Sequence, residues 1–319
     1  MLTASRSKPP ASPVALWAGS SPVPSRLEFK RGVQRLKDLN VDFVVAPRTQ
    51  KNYAKPLSRD LSFLAGPDSE KLQDLWWILK QPKISHVFAV RGGYGGIRLL
   101  PGLDKLMGKL PTNMGPKHLW GFSDLTVVQN YLYLKRRWTW FHSPMLTSPS
   151  FWTPDPQELT NYLPFFSNAW ESFEKDVHHL GGPTLPTSLR KIPLIGGNLV
   201  NFRSLMVSRY CPRLPKTFVL FLEDIDENPA RRLDRALQEL AQLTSMRGCQ
   251  AVILGHFTNC PGHEGILRAW AHQYQIPVYS KLAIGHEVPN GPLPMGQGID
   301  ILKKSKGLLG LRFPKTKLG

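Results

Sequence analysis

The sequence predicts an α/β fold built on a parallel sheet with helices on both faces. Short apolar runs of strand length alternate with amphipathic stretches of helix length from residue 14 onward. Glycine- or proline-bearing turns punctuate the alternation. The 319 residues, 41% hydrophobic and 10% aromatic, are enough for sizeable cores and suit two domains of ordinary size.

Residues 1–13, polar and rich in Pro and Ser, are expected to be disordered. Residues 14–18 read as the first strand, too short for the apolar segment of a signal peptide. A loop at Gly19-Ser20-Ser21-Pro22 follows. Ser25 then caps a helix whose apolar positions are Leu27, Phe29, Val33, Leu36 and Leu39. Residues 41–45 form the second strand, and 69–79 a helix. The apolar run 84–90 is a third strand ending at Arg91-Gly92-Gly93-Tyr94-Gly95-Gly96, and a short helical stretch carries Ile97, Leu99, Leu100 and Leu103. Residues 119–122 are a fourth strand. The helix 124–134 sets Leu125, Val128 and Leu132 inward, and 138–141 form a further strand.

Composition changes after Met145. Residues 147–152 are loop-like, 156–166 helical, and 176–187, with His178-His179, Gly181-Gly182 and two prolines, read as a linker. In the second half, Gly196-Gly197-Asn198 opens a helix through Leu205. Strand 218–222 ends in Glu223-Asp224-Ile225-Asp226-Glu227. A helix from Pro229 to about Leu243, a strand 251–255 and a helix 262–274 follow. The tail 276–313 has short strands broken by Gly and Pro. The expected organisation is a disordered 1–13, an N-terminal α/β domain 14–150, a helical segment and linker 151–187, and a C-terminal domain 188–319.

Net charge is +18, from 41 Lys+Arg against 23 Asp+Glu. Such a surface favours anionic partners, but the basic pairs are scattered and no nucleic-acid motif organises them, so a solvated basic surface is preferred. No apolar run approaches the roughly 20 residues of a membrane span. The three cysteines, Cys211, Cys249 and Cys260, form no disulfide framework and fit a reducing compartment. Cys260 with His256 and His263 lacks the spacing of a closed zinc site, which leaves a loop cysteine and two solvated histidines.

Three strand ends carry chemistry. Ser123 stands on a sharp turn between a buried strand and a helix, its hydroxyl projecting from the sheet beside the helix N-terminus. This is the arrangement of a nucleophile elbow, though the sequence is Gly121-Phe122-Ser123-Asp124 and not G-x-S-x-G. The plainer reading is that Ser123 or Asp124 caps the helix. The glycine turn 91–96 lacks the features of a dinucleotide site or a Walker lysine, which leaves an oxyanion-binding turn or a plain tight turn. Glu223 ends an apolar strand, or else belongs to a solvated acidic loop. His286 lies among loop residues. Together Ser123, Glu223 and His286 supply a nucleophile, an orienting carboxylate and a base.

The segments 90–101, 121–126, 196–199, Leu222-Glu223-Asp224 with Glu227, and Gly285-His286 resemble, in order and spacing, the serine LD-carboxypeptidases of murein recycling, a family that also includes the microcin-immunity peptidases. The resemblance runs from Ala18 to about Gly296. It implies a flavodoxin-like N-terminal domain joined to a C-terminal swivelling β/α domain, with the active site across their interface. It implies Ser123 as nucleophile, His286 as base, Glu223 as the residue orienting the histidine, and the N–H groups of Gly93 and Asp124 as oxyanion hole. The implied reaction releases terminal D-alanine from murein tetrapeptide by hydrolysis of an L,D-peptide bond, without metal or cofactor. The enzyme is expected to be a cytoplasmic homodimer whose partners are murein peptides or muropeptides, not nucleic acid or membrane. Arg91 and Arg98 are candidates for the substrate carboxylate, unless they pair with Asp104 or another local acid, and Tyr94, Asn198 and Ser21 are further candidate contacts.

The sequence departs from the family pattern at Ser143, where a glycine is usual before Pro144, at the additional titratable group His142, and in the proline-rich 288–294. The alternatives are a microcin-immunity peptidase acting on peptide nucleotides, disfavoured by a linker without aromatic residues, and a basic nucleic-acid-binding protein with an inert triad.

Overall fold

The computed structural model describes residues 13–53, 55–152 and 170–315. The expected disorder at the N-terminus and the expected helix 156–166 therefore fall, for residues 1–12 and 156–166, outside the described residues.

The first half alternates as expected. Strands β1 (Val14–Trp17), β2 (Phe43–Val45), β3 (His86–Ala89), β4 (His118–Gly121) and β5 (Trp140–His142) are separated by helices α1 (Arg26–Asp38), α2 (Pro47–Asn52), α3 (Asp68–Leu79), α4 (Gly96–Lys109) and α5 (Thr126–Arg136). Ser25 does cap α1, its Oγ accepting from Glu28 N at 3.3 Å. The five strands are parallel and ordered β2-β1-β3-β4-β5. That is the flavodoxin-like order, with its switch point between β1 and β3, where a ligand crevice opens at the strand C-termini. β1, β3 and β4 are fully buried, so their sequences are continuous apolar runs rather than alternating ones. Residues 147–152, expected as loop, include a short helix α6 (Pro149–Trp152).

The second half closes a seven-stranded barrel. Its strands are β6 (Phe173–Gly181), β7 (Leu189–Asn198), β8 (Phe218–Ile225), β9 (Cys249–Thr258), β10 (Val278–Ser280), β12 (Gly298–Ser305) and β13 (Leu308–Phe313), in the order β10-β6-β13-β12-β7-β8-β9. Helices α7 (Leu199–Met206), α8 (Arg231–Gln242) and α9 (His263–Tyr274) belong to this half.

Two assignments from sequence are corrected. The first half of the stretch read as a linker, 176–181, belongs to strand β6. Phe173, Val177 and Leu180 turn inward, while Glu174 and Asp176 face solvent and both meet Lys304 Nζ at 2.6 Å. Three successive charged residues masked the strand. The short strand β11 (Leu293–Met295), from the tail, leaves the barrel and pairs antiparallel with β5, completing a six-stranded first sheet. The two halves thus share a sheet.

α5 is also more buried than its pattern suggests: every residue from Thr126 to Leu134 is buried. The helix packs against its own sheet and, on its outer side, against the barrel. Asn130 there exchanges two hydrogen bonds with Gly196, Nδ2 to O at 2.7 Å and N to Oδ1 at 3.0 Å.

Candidate active site

The loops after β1, β3 and β4 meet at the C-terminal edge of the first sheet. Ser123 opens a 3₁₀ turn, Ser123–Leu125, that feeds α5. Its φ is +62°. A serine held in the left-handed region costs about 1 kcal/mol or more, and such strain recurs where a side chain must be aimed. Gly92 faces it: a methyl group there would lie 3.2 Å from Ser123 Cβ and 3.4 Å from Oγ. Glycine at 92 keeps the space before the hydroxyl open.

Neither Ser123 nor Asp124 caps the helix, so the capping alternative is overturned. The buried Asp124 carboxylate instead turns back to the glycine loop. It accepts from Gly95 N at 3.2 Å, Gly96 N at 2.8 Å and Ser20 Oγ at 2.5 Å. The glycine turn does cradle an anion, but the anion is the protein's own. Burial pushes the Asp124 carboxyl up, against the pull of Ser20, Gly96 and the nearby Lys71. Lys71 is itself buried, which lowers its pKa, with Asp68 at 3.7 Å.

Earlier in the same loop, Gly93 is exposed and has φ +105°. Any side chain there would strike Ser21 Oγ, which donates to Phe63 O at 2.6 Å and accepts from Tyr94 N at 3.0 Å. Glycine is therefore required at 93 on both conformational and steric grounds.

The second half supplies Glu223 and His286. Glu223 lies on β8, paired with Asn198 of the parallel β7, and is completely buried. Its Oε2 is 2.7 Å from Nδ1 of His286, whose side chain is 13% exposed. A carboxylate at that distance fixes the tautomer: Nδ1 carries the proton and Nε2 is left as the basic nitrogen. Gly285, at φ +143°, allows this approach, since a methyl group there would sit 3.3 Å from Glu223 Oε2 and 3.0 Å from His256 Cβ.

The halves meet at this point. Phe122, the residue before Ser123, packs its ring 4.7 Å from that of His286. Thr126, just beyond the serine turn, accepts through Oγ1 from Asn198 N at 3.1 Å.

Burial alone would push the Glu223 carboxyl up, but the adjacent His286 and His142 bring it down to about 2. Burial would lower His286, yet Glu223 beside it leaves its pKa above the ordinary value. Asp224 goes the other way: burial, then the charge of Glu223, raise it to about 7 although it accepts from Ile225 N and Asn198 Nδ2. The acidic stretch is thus not a solvated loop, because Glu223, Asp224 and Glu227 are all buried.

Other expected residues have local partners. Arg91 Nη1 donates to Pro22 O, and Arg98 Nε to Asp68 at 2.8 Å. Asn198 caps α7 through Oδ1 and holds Asp224 through Nδ2. Tyr94 is exposed, in edge contact with Phe63. His256, expected to be solvated, is half-buried on β9. The Cys260 thiol is buried and pushed up to about 11. Among the described residues no group of three or more His, Cys, Asp or Glu could hold a metal ion. No helix among them is long and apolar enough to cross a membrane.

Sequence reasoning missed Ser20, Lys71, Thr126 and Asn130. Ser20 carried a signal, as the neighbour of Ser21 at a strand end. Thr126 carried one too, as the last residue of segment 121–126, whereas Lys71 and Asn130 sit in ordinary helical sequence and carried none.

Residues 14–143 match the family model described as LD-carboxypeptidase N-terminal domain, and residues 192–301 the LD-carboxypeptidase C-terminal domain. The chain is 31% identical over 296 residues to the murein tetrapeptide carboxypeptidase of Pseudomonas aeruginosa, covering 89% of this chain and 91% of that one. It is 27% identical over 257 residues to a probable murein peptide carboxypeptidase of Bacillus subtilis, covering 77% and 78%. Among solved structures it is similar to muramoyltetrapeptide carboxypeptidase from Oxalobacter formigenes, with TM-score 0.75 and 23% identity over 95% of this chain and 99% of that one. It is similar too to MccF in complex with glutamyl sulfamoyl guanosine, with TM-score 0.77 and 20% identity over 97% of each. At these identities the solved structures speak to fold.

Proposed function

Because the chain belongs to the LD-carboxypeptidase family, we propose that it hydrolyses the L,D-peptide bond of murein tetrapeptides and releases the terminal D-alanine. Ser123 attacks the carbonyl. His286 takes its proton through Nε2 and later gives it to the leaving amine, and water then hydrolyses the acyl-enzyme. Glu223 holds the histidine and balances the imidazolium. The N–H groups of Gly93 and Asp124 receive the oxyanion, where one donor is typically worth about 10²–10³ in turnover.

The observation that supports this most is the fully buried Glu223 carboxylate, 2.7 Å from Nδ1 of a histidine whose ring lies 4.7 Å from that of Phe122, the residue before a serine with φ +62°. A carboxylate withdrawn from water and spent on orienting one partly exposed imidazole is costly unless that imidazole has work to do. On the same reading the enzyme is a cytoplasmic homodimer of peptidoglycan recycling; sedimentation of the purified chain as a monomer would remove the dimer from it.

The test is incubation of the wild type and Ser123→Ala with L-Ala-γ-D-Glu-meso-DAP-D-Ala, following D-Ala by mass spectrometry. Release by the wild type alone is expected. No release by the wild type would move the substrate toward peptide nucleotides or larger muropeptides, and release by both would remove Ser123 from the reaction.

A further inference from the structure

Glu223 faces a second imidazole. His142 ends β5, paired with Gly121 of β4 on one side and Leu293 of β11 on the other, and is completely buried. Its Nε2 lies 3.7 Å from Glu223 Oε1, the oxygen that His286 does not use. Among the described residues neither ring nitrogen of His142, nor Oε1 itself, has a hydrogen-bond partner. The ring is wedged between Phe122, at 5.3 Å between centroids, and Phe221, at 5.2 Å and nearly perpendicular. A buried imidazole costs free energy unless it is paired, and Oε1 is an acceptor that it faces.

We infer that His142 is a positioning residue of the active site, directing Nε2–H at Glu223 Oε1 so that Oε2 is held on His286 Nδ1. This rests on the reading of Glu223 and His286 as orienting acid and base. The contact also crosses the join between the halves: His142 comes from the first sheet, one strand from Ser123, while Glu223 and His286 come from the second half. Serine, histidine and carboxylate are thereby tied into one frame. At 3.7 Å the two atoms are within ion-pair reach and beyond hydrogen-bond distance, so the proposed bond needs a shift of a few tenths of an ångström in either side chain.

The titratable and charged groups around this centre are Asp224 on β8, Asp226 just after it, His256 on β9, and His286 and Glu287 on the loop after β10. Against that background the sign is fixed. A neutral His142 that donates to Oε1 draws charge from Glu223; a protonated one repels the proton on His286. In both cases removing His142 makes His286 hold its proton more tightly.

The experiment compares His142→Phe, which fills the space without a donor, with His142→Gln, which can still donate to Oε1. The readouts are the pH profile of kcat/KM for D-Ala release and an NMR titration of the His286 ring in the full chain. His142→Phe is expected to move the acid limb and the NMR titration up by about one unit. Its kcat should fall about 10- to 100-fold with KM nearly unchanged. His142→Gln should restore most of both. If His142→Phe fails to fold, His142→Asn, too short to reach Oε1, takes its place with the same expectation. An unshifted His286 titration in the donor-less variant would overturn the inference and leave His142 a packing residue, whatever happened to kcat. The NMR readout decides even if the wild type cleaves no murein tetrapeptide.

Discussion

Two buried carboxylates lie near the join of the halves, Asp124 in the first half and Glu223 in the second, each about 1% exposed or less. Asp124 is surrounded by a hydroxyl and two backbone N–H groups, and burial leaves its pKa raised. Glu223 is surrounded by two imidazoles that hold its pKa near 2. Equal burial therefore gives opposite titration: around Asp124 the hydroxyl, the N–H groups and the more distant Lys71 do not outweigh desolvation, whereas around Glu223 the two imidazoles do. Asp124 fastens the glycine loop to the serine turn; on the proposed mechanism Glu223 conditions a base.

The comparison can be broken in several ways. The largest effect belongs to Ser123→Ala, which should lower kcat by about 10⁶ without change in Tm, the scale seen when a nucleophile is lost from a catalytic unit. Turnover near the wild-type rate would take the serine out of the chemistry. Next, Asp124→Asn leaves Gly95 N or Ser20 Oγ poorly matched and should cost about 1–3 kcal/mol. Chemical denaturation reads this directly, and an unchanged midpoint would deny Asp124 its fastening role.

A pH titration sharpens the contrast. In the proposed mechanism His286 must be neutral to accept a proton, and its folded pKa lies above the ordinary value of about 6.5. The acid limb of kcat/KM should therefore lie above about 6.5, and a limb near 5 would contradict the Glu223 pairing. The linked stability has matching signs. The share from Glu223 is present above its unfolded pKa of about 4.5 and lost as pH falls toward 2, whereas that from His286 is present below about 6.5 and lost as pH rises through its folded value. The smallest effect is Arg98→Gln. Its partner Asp68 makes a partly exposed ion pair at 2.8 Å, so at most about 1 kcal/mol is expected, with KM unchanged. A selective rise in KM would return Arg98 to the substrate.

Much of this was legible before the structure. The strand-end placement of Ser123 follows from an apolar run that stops at polar residues, and the order of segments carried the family, whereas Glu223, expected just past a strand ending at Leu222, lies within β8, which runs on to Ile225. What was hidden depended on distant partners. β6 was hidden because Glu174 and Asp176, which break its apolar pattern, are answered by Lys304, 128 residues beyond Asp176. β11 was hidden because three residues with a central proline form a strand only beside β5. The fate of Asp124 was hidden because a residue after a serine turn reads as a cap. Only the folded chain places the Gly95 and Gly96 N–H groups within its reach.

The most direct measurement is kcat for D-Ala release by Glu223→Gln, taken beside its Tm. An amide matches the carboxylate in shape but cannot balance an imidazolium. The rate should fall about 10⁴-fold, as when the orienting acid of a triad is amidated, with Tm within a few degrees of the wild type. A rate within tenfold of the wild type would contradict the assignment of Glu223 as the charge that prepares His286.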